Sequence, residues 1–203
     1  VIGYVGAYTY AEVISGMTSF FLGARSVCES ATMKVRYTGS WYDQGKEQEA
    51  ATALIEKDKC VLISQHADSL GAPTACELAG VPNVSYNGST YSAGKNTFIV
   101  SSAINWAPYF QYIIECAVKG QAIDSDWCGD IATNSVVISG LNQGVAAEGT
   151  EAKLKEAIDA FKAGTLKVFA TDKFTVDGKK LDQYMADIDG DFKGDTNVIH
   201  DGY

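Results

Sequence analysis

Short apolar runs alternate with longer segments whose apolar positions recur every three or four residues, and this alternation dominates the first half of the chain. Runs rich in β-branched and aromatic residues read as buried strands, and the longer period reads as amphipathic helix. On that basis Ile2 to Val5, Met33 to Tyr37, Cys60 to Ser64, Val84 to Tyr86 and Asn96 to Ser101 are strands. Between the first two lies a helix whose apolar face is Val13, Ile14, Met17, Phe20, Phe21 and Ala24. Thr9 and Glu12 stand at the spacing of a capping box that would open it. Asp43 is placed to cap a second helix that buries Ala50, Ala51, Ala53, Leu54 and Ile55, and a third, Gly71 to Ala79, stops at Gly80. Further on come a helix from Trp106 to Val118 with aromatics on one side, a strand near Ser135 to Ser139, and a lysine- and glutamate-faced helix from Thr150 to Phe161. Asp177-Gly178 would turn a hairpin of Phe174 to Val176 against Lys179 to Leu181.

Strand and helix in succession predict an α/β fold with a doubly wound parallel sheet, because right-handed crossovers place helices on both faces. Such sheets bind ligands beyond the carboxyl ends of their strands. That rule nominates the loops Ala7 to Thr9, Ser40 to Asp43, Gln65 to Ser69 and Asn87 to Tyr91, which carry Trp, Tyr, His, Asp, Ser and Asn side chains. Stacking aromatics with a few hydrogen-bonding groups suit a flat organic ligand with a polar edge.

Composition narrows the class. The chain has 203 residues, 46% hydrophobic and 20% charged, which is ordinary globular usage and enough to bury a core. Lys plus Arg number 16 against 25 Asp plus Glu, a net charge of -9 with no basic run, so the phosphate-neutralising face of a nucleic-acid binder is excluded. Its apolar stretches fall far short of the roughly 18 residues of a membrane-spanning helix. The five cysteines include no Cys-x-x-Cys pair. Cys28, Cys60, Cys76 and Cys116 read as buried thiols in apolar or helical surroundings, and Cys128 beside Trp127 is the one placed to bridge Cys116.

Gly3 and Gly6 follow the first strand without completing a dinucleotide fingerprint, and bulky Tyr8 and Tyr10 would keep a pyrophosphate off the backbone. No phosphate-binding loop and no Gly-x-Ser-x-Gly elbow occur. His66, Asp68 and Ser69 admit three readings: hydrogen-bonding groups of a ligand loop, an ordinary structural loop, or a base, orienter and nucleophile. Neighbours on one loop rarely reach the last geometry. Trp41 divides between stacking on a ligand and packing into the core, and Trp106 heads an aromatic helix and reads as core. Asp187, Asp189, Asp191 and Asp195 imitate a calcium loop, but Phe192 stands where that loop needs Gly and Val198 where it needs Glu. His200 has no second metal ligand in helical spacing, so neither metal nor cofactor is expected.

The succession Ile-Gly-Tyr-Val-Gly, Tyr-Thr-Gly-Ser-Trp-Tyr-Asp, Gln-His-Ala-Asp-Ser, Val-Ser-Tyr-Asn-Gly, Ser-Ser-Ala-Ile-Asn-Trp-Ala-Pro-Tyr and Phe-Thr-Val-Asp-Gly-Lys resembles the basic membrane protein family, the purine-nucleoside-receptor-like substrate-binding lipoproteins of ABC importers. The resemblance implies a type I periplasmic-binding-protein fold, two α/β lobes closing on a purine base or nucleoside. It sets Val1 at the start of the second lobe, with most of the first lobe and the lipidated cysteine lying outside this sequence. Residues 1–103 would form the second-lobe core, and residues 104–203 a crossover helix, further α/β elements and a tail. The Trp106 to Val118 helix would then present an apolar face to the first lobe.

Carried over residue by residue, the resemblance makes Trp41 the aromatic that stacks on the ligand and puts His66, Asp68 and Ser69 in a polar ligand loop. It aligns Tyr86 and Asn87 with a segment that usually supplies a binding Asp, and it adds Tyr8 and Trp106 to the ligand set. Asn87 in place of that Asp, and Asn105-Trp106 where nucleoside binders carry Lys, favour a free purine base. The implied protein is extracytoplasmic, works with an ABC permease, touches the membrane only through its lipid anchor, and performs no turnover. The alternatives are the ligand-sensing domain of a regulator with the same fold and a nucleoside-acting enzyme using His66 and Asp68.

Overall fold

In the computed structural model, residues 1–169 are described together with four two-residue strands beyond them. The chain forms two compact units, Val1–Lys155 and Glu156–Tyr203. The first contains a six-stranded sheet in the order β2-β1-β3-β4-β5-β6, made of β1 (Ile2–Gly6), β2 (Met33–Tyr37), β3 (Ile63–Gln65), β4 (Asn83–Ser85), β5 (Phe98–Ile104) and β6 (Val136–Ser139). The pairings from β2 through β5 are parallel, and β6 closes the edge antiparallel to β5. The expectation of an α/β, largely parallel sheet is therefore met. In the second unit β7 (Thr175–Val176) pairs with β8 (Lys179–Lys180) as the expected antiparallel hairpin, and β9 (Met185–Ala186) pairs with β10 (Thr196–Asn197). Asp177-Gly178, His200 and the aspartates at 187, 189, 191 and 195 lie outside the described residues.

The crossover from β1 to β2 runs one way along the sheet and the next two run the other. Right-handedness therefore sets α1 (Ala11–Val27) on one face and α2 (Gln44–Glu56) and α3 (Gly71–Ala79) on the other. The main core lies beneath the α2–α3 pair, where Val5, Ala51, Leu54, Ile63, Ala72 and Cys76 are sealed from solvent. Among the described side chains of α1 itself, Val13 alone is fully buried, and Met17, Phe20 and Phe21 are half-covered.

Three expectations shift. Thr9 does not cap α1: the helix begins one residue later behind Tyr10, which makes no side-chain cap bond, and Glu12 turns to the edge of the sheet instead of reaching back. The third strand starts at Ile63, because the amides of residues 60 and 61 bond Leu54 and Val1, which leaves Val61 65% exposed. Cys28 is exposed where a buried thiol was expected, whereas Cys60, Cys76 and Cys116 are buried free thiols as read, Cys116 and Cys128 being unbridged.

Candidate functional site

In a sheet of order 2-1-3-4-5 the chain reverses direction between β1 and β3, and the loops leaving those strands diverge to open a crevice. That crevice holds a hollow of about 190 Å³ lined by Glu12, Trp41, His66, Asp68, Tyr86 and Asn87. The six follow the carboxyl ends of four strands: Glu12 in the first turn of α1 after β1, Trp41 after β2, His66 and Asp68 after β3, Tyr86 and Asn87 after β4.

Backbone bonds fix these loops to one another. The Asp68 amide donates to the Trp41 carbonyl at 2.8 Å, and the His66 amide to the Val5 carbonyl at 2.8 Å. Asp43 caps α2 as expected: its Oδ1 accepts from the Lys46 amide at 3.0 Å, which holds the carboxyl below its ordinary range. Glu47, fully buried, accepts from the amides of Asp43 at 3.1 Å and Ser69 at 3.2 Å. One carboxylate thus ties the Trp41 loop to the Asp68 loop. Under β4, the Asn83 amide donates to Gln65 Oε1 at 2.9 Å and the Ser85 hydroxyl donates to Asn83 at 2.7 Å, a buried polar chain that seats the Tyr86–Asn87 segment. Asn87 sits at φ 57°, a left-handed conformation that Asn tolerates well.

His66 is the centre of the site. Its ring stacks on Tyr86 with centroids 4.1 Å apart, Trp41 lies 6.5 Å away, and Tyr4 from β1 meets its Nδ1 at 3.2 Å. Above it passes α1 at Gly16, where an added Cβ would come within 2.9 Å of Nδ1, so glycine permits that approach. Burial pulls His66 below its ordinary 6.5, against the opposing pull of the Glu12 and Asp68 carboxylates. The unfolded chain then binds a proton near pH 6.5 that the folded chain takes up only at lower pH, so stability rises with pH between those two values. Melting temperature should therefore fall as pH is lowered from about 6.5, and His66→Asn should flatten that part of a pH series followed by circular dichroism. An equal slope in the variant would assign the effect elsewhere.

The remaining expected residues fall outside the hollow. Tyr8 stacks on Tyr10 at 5.1 Å and packs against Trp41, so it supports the wall rather than lining it. Ser69 is buried, and its hydroxyl accepts from the Gly71 amide at the start of α3. Trp106 is 56% exposed at the head of α4 (Ala107–Lys119), beyond β5, in a different hollow with Tyr109 and Trp127. Glu12, expected to cap α1, lines the hollow instead. Among the described residues no group of three metal-ligating side chains occurs, and no helix is long and apolar enough to cross a membrane.

In doubly wound α/β sheets, a crevice of this kind at the switch point is where small molecules commonly bind. The chain belongs to the ABC transporter substrate-binding, PnrA-like family, whose model matches residues 1–166. It is 36% identical over 129 residues to a putative ABC transporter glucose-binding protein of Haloferax volcanii, covering 63% of this chain and 33% of that one. To a purine-binding protein of Brucella abortus it is 34% identical over 108 residues, 53% of this chain and 31% of the relative. The matched part thus spans about a third of these curated relatives. An ABC transporter solute-binding protein from Conexibacter woesei shares the fold at a TM-score of 0.68 and 22% identity, over 83% of this chain and 58% of that one. A transcriptional activator of the comK gene from Bacillus halodurans does so at 0.66 and 18%, over 79% and 56%.

Proposed function

We propose that this chain supplies one lobe of an extracytoplasmic receptor that captures a free purine base and delivers it, unchanged, to an ABC permease. The observation that carries this reading is the crevice itself. Trp41 and the His66–Tyr86 stack offer π faces, and Glu12, Asp68 and Asn87 surround them with hydrogen-bonding groups. A relative named as purine-binding supports the ligand, and membership of a substrate-binding family supports the absence of turnover. Asn105 stands where the resemblance places a lysine in nucleoside binders, which favours a free base over a nucleoside. A second lobe closing over the crevice would exclude water and raise affinity, and a lipid anchor would hold the receptor at the membrane. The exposed stripe Phe110, Ile114 and Val118 on α4, at 56%, 62% and 82%, fits such a partner lobe.

Thermal melting and calorimetry with adenine, guanine, adenosine and glucose test the reading. A ligand at a hundred times its Kd stabilises by about 2.7 kcal/mol, which for a chain of this size raises Tm by roughly 5–10 °C. A purine base should produce that shift, and Trp41→Ala should weaken it by about 1–3 kcal/mol, roughly 5- to 150-fold in Kd. Glucose alone giving the shift would replace the purine reading with the sugar named for the Haloferax relative.

A further inference from the structure

We propose that buried Tyr4 fixes His66 as an Nε2–H donor, so that the crevice sets one N–H donor between the carboxylate acceptors of Glu12 and Asp68, and selects an uncharged heteroaromatic base that presents a ring-nitrogen acceptor beside an N–H donor. The inference rests on the purine reading for its ligand, and on the protein alone for its tautomer.

Tyr4 lies in the middle of β1, 2% exposed, and the one hydrogen bond of its hydroxyl among the described residues is with His66 Nδ1. A buried phenol proton requires an acceptor, because a donor left unmade in an apolar setting loses its whole hydration. If Nδ1 carried the imidazole proton, the ring would donate to the phenol oxygen and the phenol's own proton would face nothing. With Nδ1 bare, both groups are satisfied and the single ring proton sits on Nε2. Burial also pushes the Tyr4 phenol far above its ordinary range, which keeps its proton in place.

Nε2 takes no protein partner among the described residues. Yet none of their buried side-chain nitrogens or oxygens is left without one, so Nε2 is the nitrogen that opens to the hollow. The stack on Tyr86 and the close pass of α1 at Gly16 hold the ring in that orientation. Glu12 and Asp68 are the charged lining groups beside it, and neither Lys nor Arg is among the lining residues. A phosphate would meet two carboxylates and no cation, whereas an amino or imino N–H would find an acceptor on one side and His66 would find a ring nitrogen on the other. The amino-pyrimidine and imidazole edges of a 6-aminopurine carry that adjacent pair.

Two measurements test this separately. In the 15N-labelled protein without ligand, long-range 1H–15N correlation spectra report which imidazole nitrogen is protonated, with His200→Gln assigning the two histidines. His66 should show a bare Nδ1 and a protonated Nε2 at pH 7.5, and Tyr4→Phe should move the Nδ1 signal toward a mixture of tautomers. A proton on Nδ1, or a spectrum unmoved by Tyr4→Phe, overturns the tautomer assignment whatever the ligand. Calorimetry then compares adenine with its 1-, 3- and 7-deaza analogues and with adenosine monophosphate. One deaza analogue should bind at least about tenfold more weakly, a difference that His66→Ala erases, and the monophosphate should not bind. Equal binding of all three analogues, or of the monophosphate, overturns the selectivity. If no purine binds at all, the purine reading and the selectivity fall together while the spectra still decide the role of Tyr4.

Discussion

Glu47→Ala is expected to lower the unfolding free energy by roughly 1–4 kcal/mol, since the buried Ser69 amide and the part-buried Asp43 amide lose their acceptor and an unsatisfied buried donor costs about 1–3 kcal/mol. Those amides belong to Asp43 and Ser69, the residues that flank the Trp41 and Asp68 loops, and the Ser69 amide lies in a buried setting where water does not replace the carboxylate. Against a total stability of about 5–15 kcal/mol that is a large fraction. Glu47→Gln keeps the volume and one acceptor oxygen but turns an amide N–H₂ toward a donor, so it should fall between wild type and alanine. Urea unfolding of the three proteins gives the ranking, and an alanine variant within about 0.5 kcal/mol of wild type would show that the carboxylate does not hold the two loops. The same variant should weaken ligand binding, because the Trp41 wall and the Asp68 acceptor are the parts that the carboxylate joins.

Much of this architecture was legible because its causes are local. The Asp43 cap, the stop of α3 at Gly80 and the strand-like runs of β1 and β2 each follow from a few adjacent residues. Once the crossovers are right-handed, the loops after β2, β3 and β4 must share one edge, and Trp41, His66, Asp68, Tyr86 and Asn87 do line one hollow there. What was not legible depends on contacts across the sheet. Glu12 matches a capping box by spacing, yet its neighbour in space is His66 on β3's loop. Ser69 carries a hydroxyl in the right loop, but the Gly71 amide takes it. Trp106 lies at the same edge and yet beyond β5, two strands past the one that leads to His66. The antiparallel direction of β6 depends on the path of the chain after α4, which no local pattern encodes. Burial of His66 by Tyr4 and Tyr86 likewise joins three strands, and it lowers the ring's affinity for a proton in a way that a list of loop residues does not show.

The same junction of α2 with α3 supports a second large effect, from a single methyl group. At Gly71 an added Cβ would collide with the Gln44 carbonyl oxygen and stand 2.9 Å from both the Gln48 amide nitrogen and Glu47 Cβ. The first two obstacles are backbone in the opening turn of α2, so no side-chain rotation relieves them and the helices must separate. Overpacking of this kind costs about 1–3 kcal/mol and occasionally more, and because the obstacle is backbone, Gly71→Ala should lose about 3 kcal/mol. Its position in the first turn of α3 limits what alanine's helix propensity returns. Displacement of α3 would also pull the Gly71 amide from Ser69 and loosen the Asp68 loop. Gly23→Ala supplies the contrast: that glycine lies inside α1 with nothing within 4 Å of an added Cβ, so the identical substitution should stabilise by up to about 1 kcal/mol. Urea unfolding should therefore give opposite signs for one chemical change at two helical glycines. If both variants shift stability in the same direction, the close approach of α2 and α3 at Gly71 is not what holds the crevice loops in place.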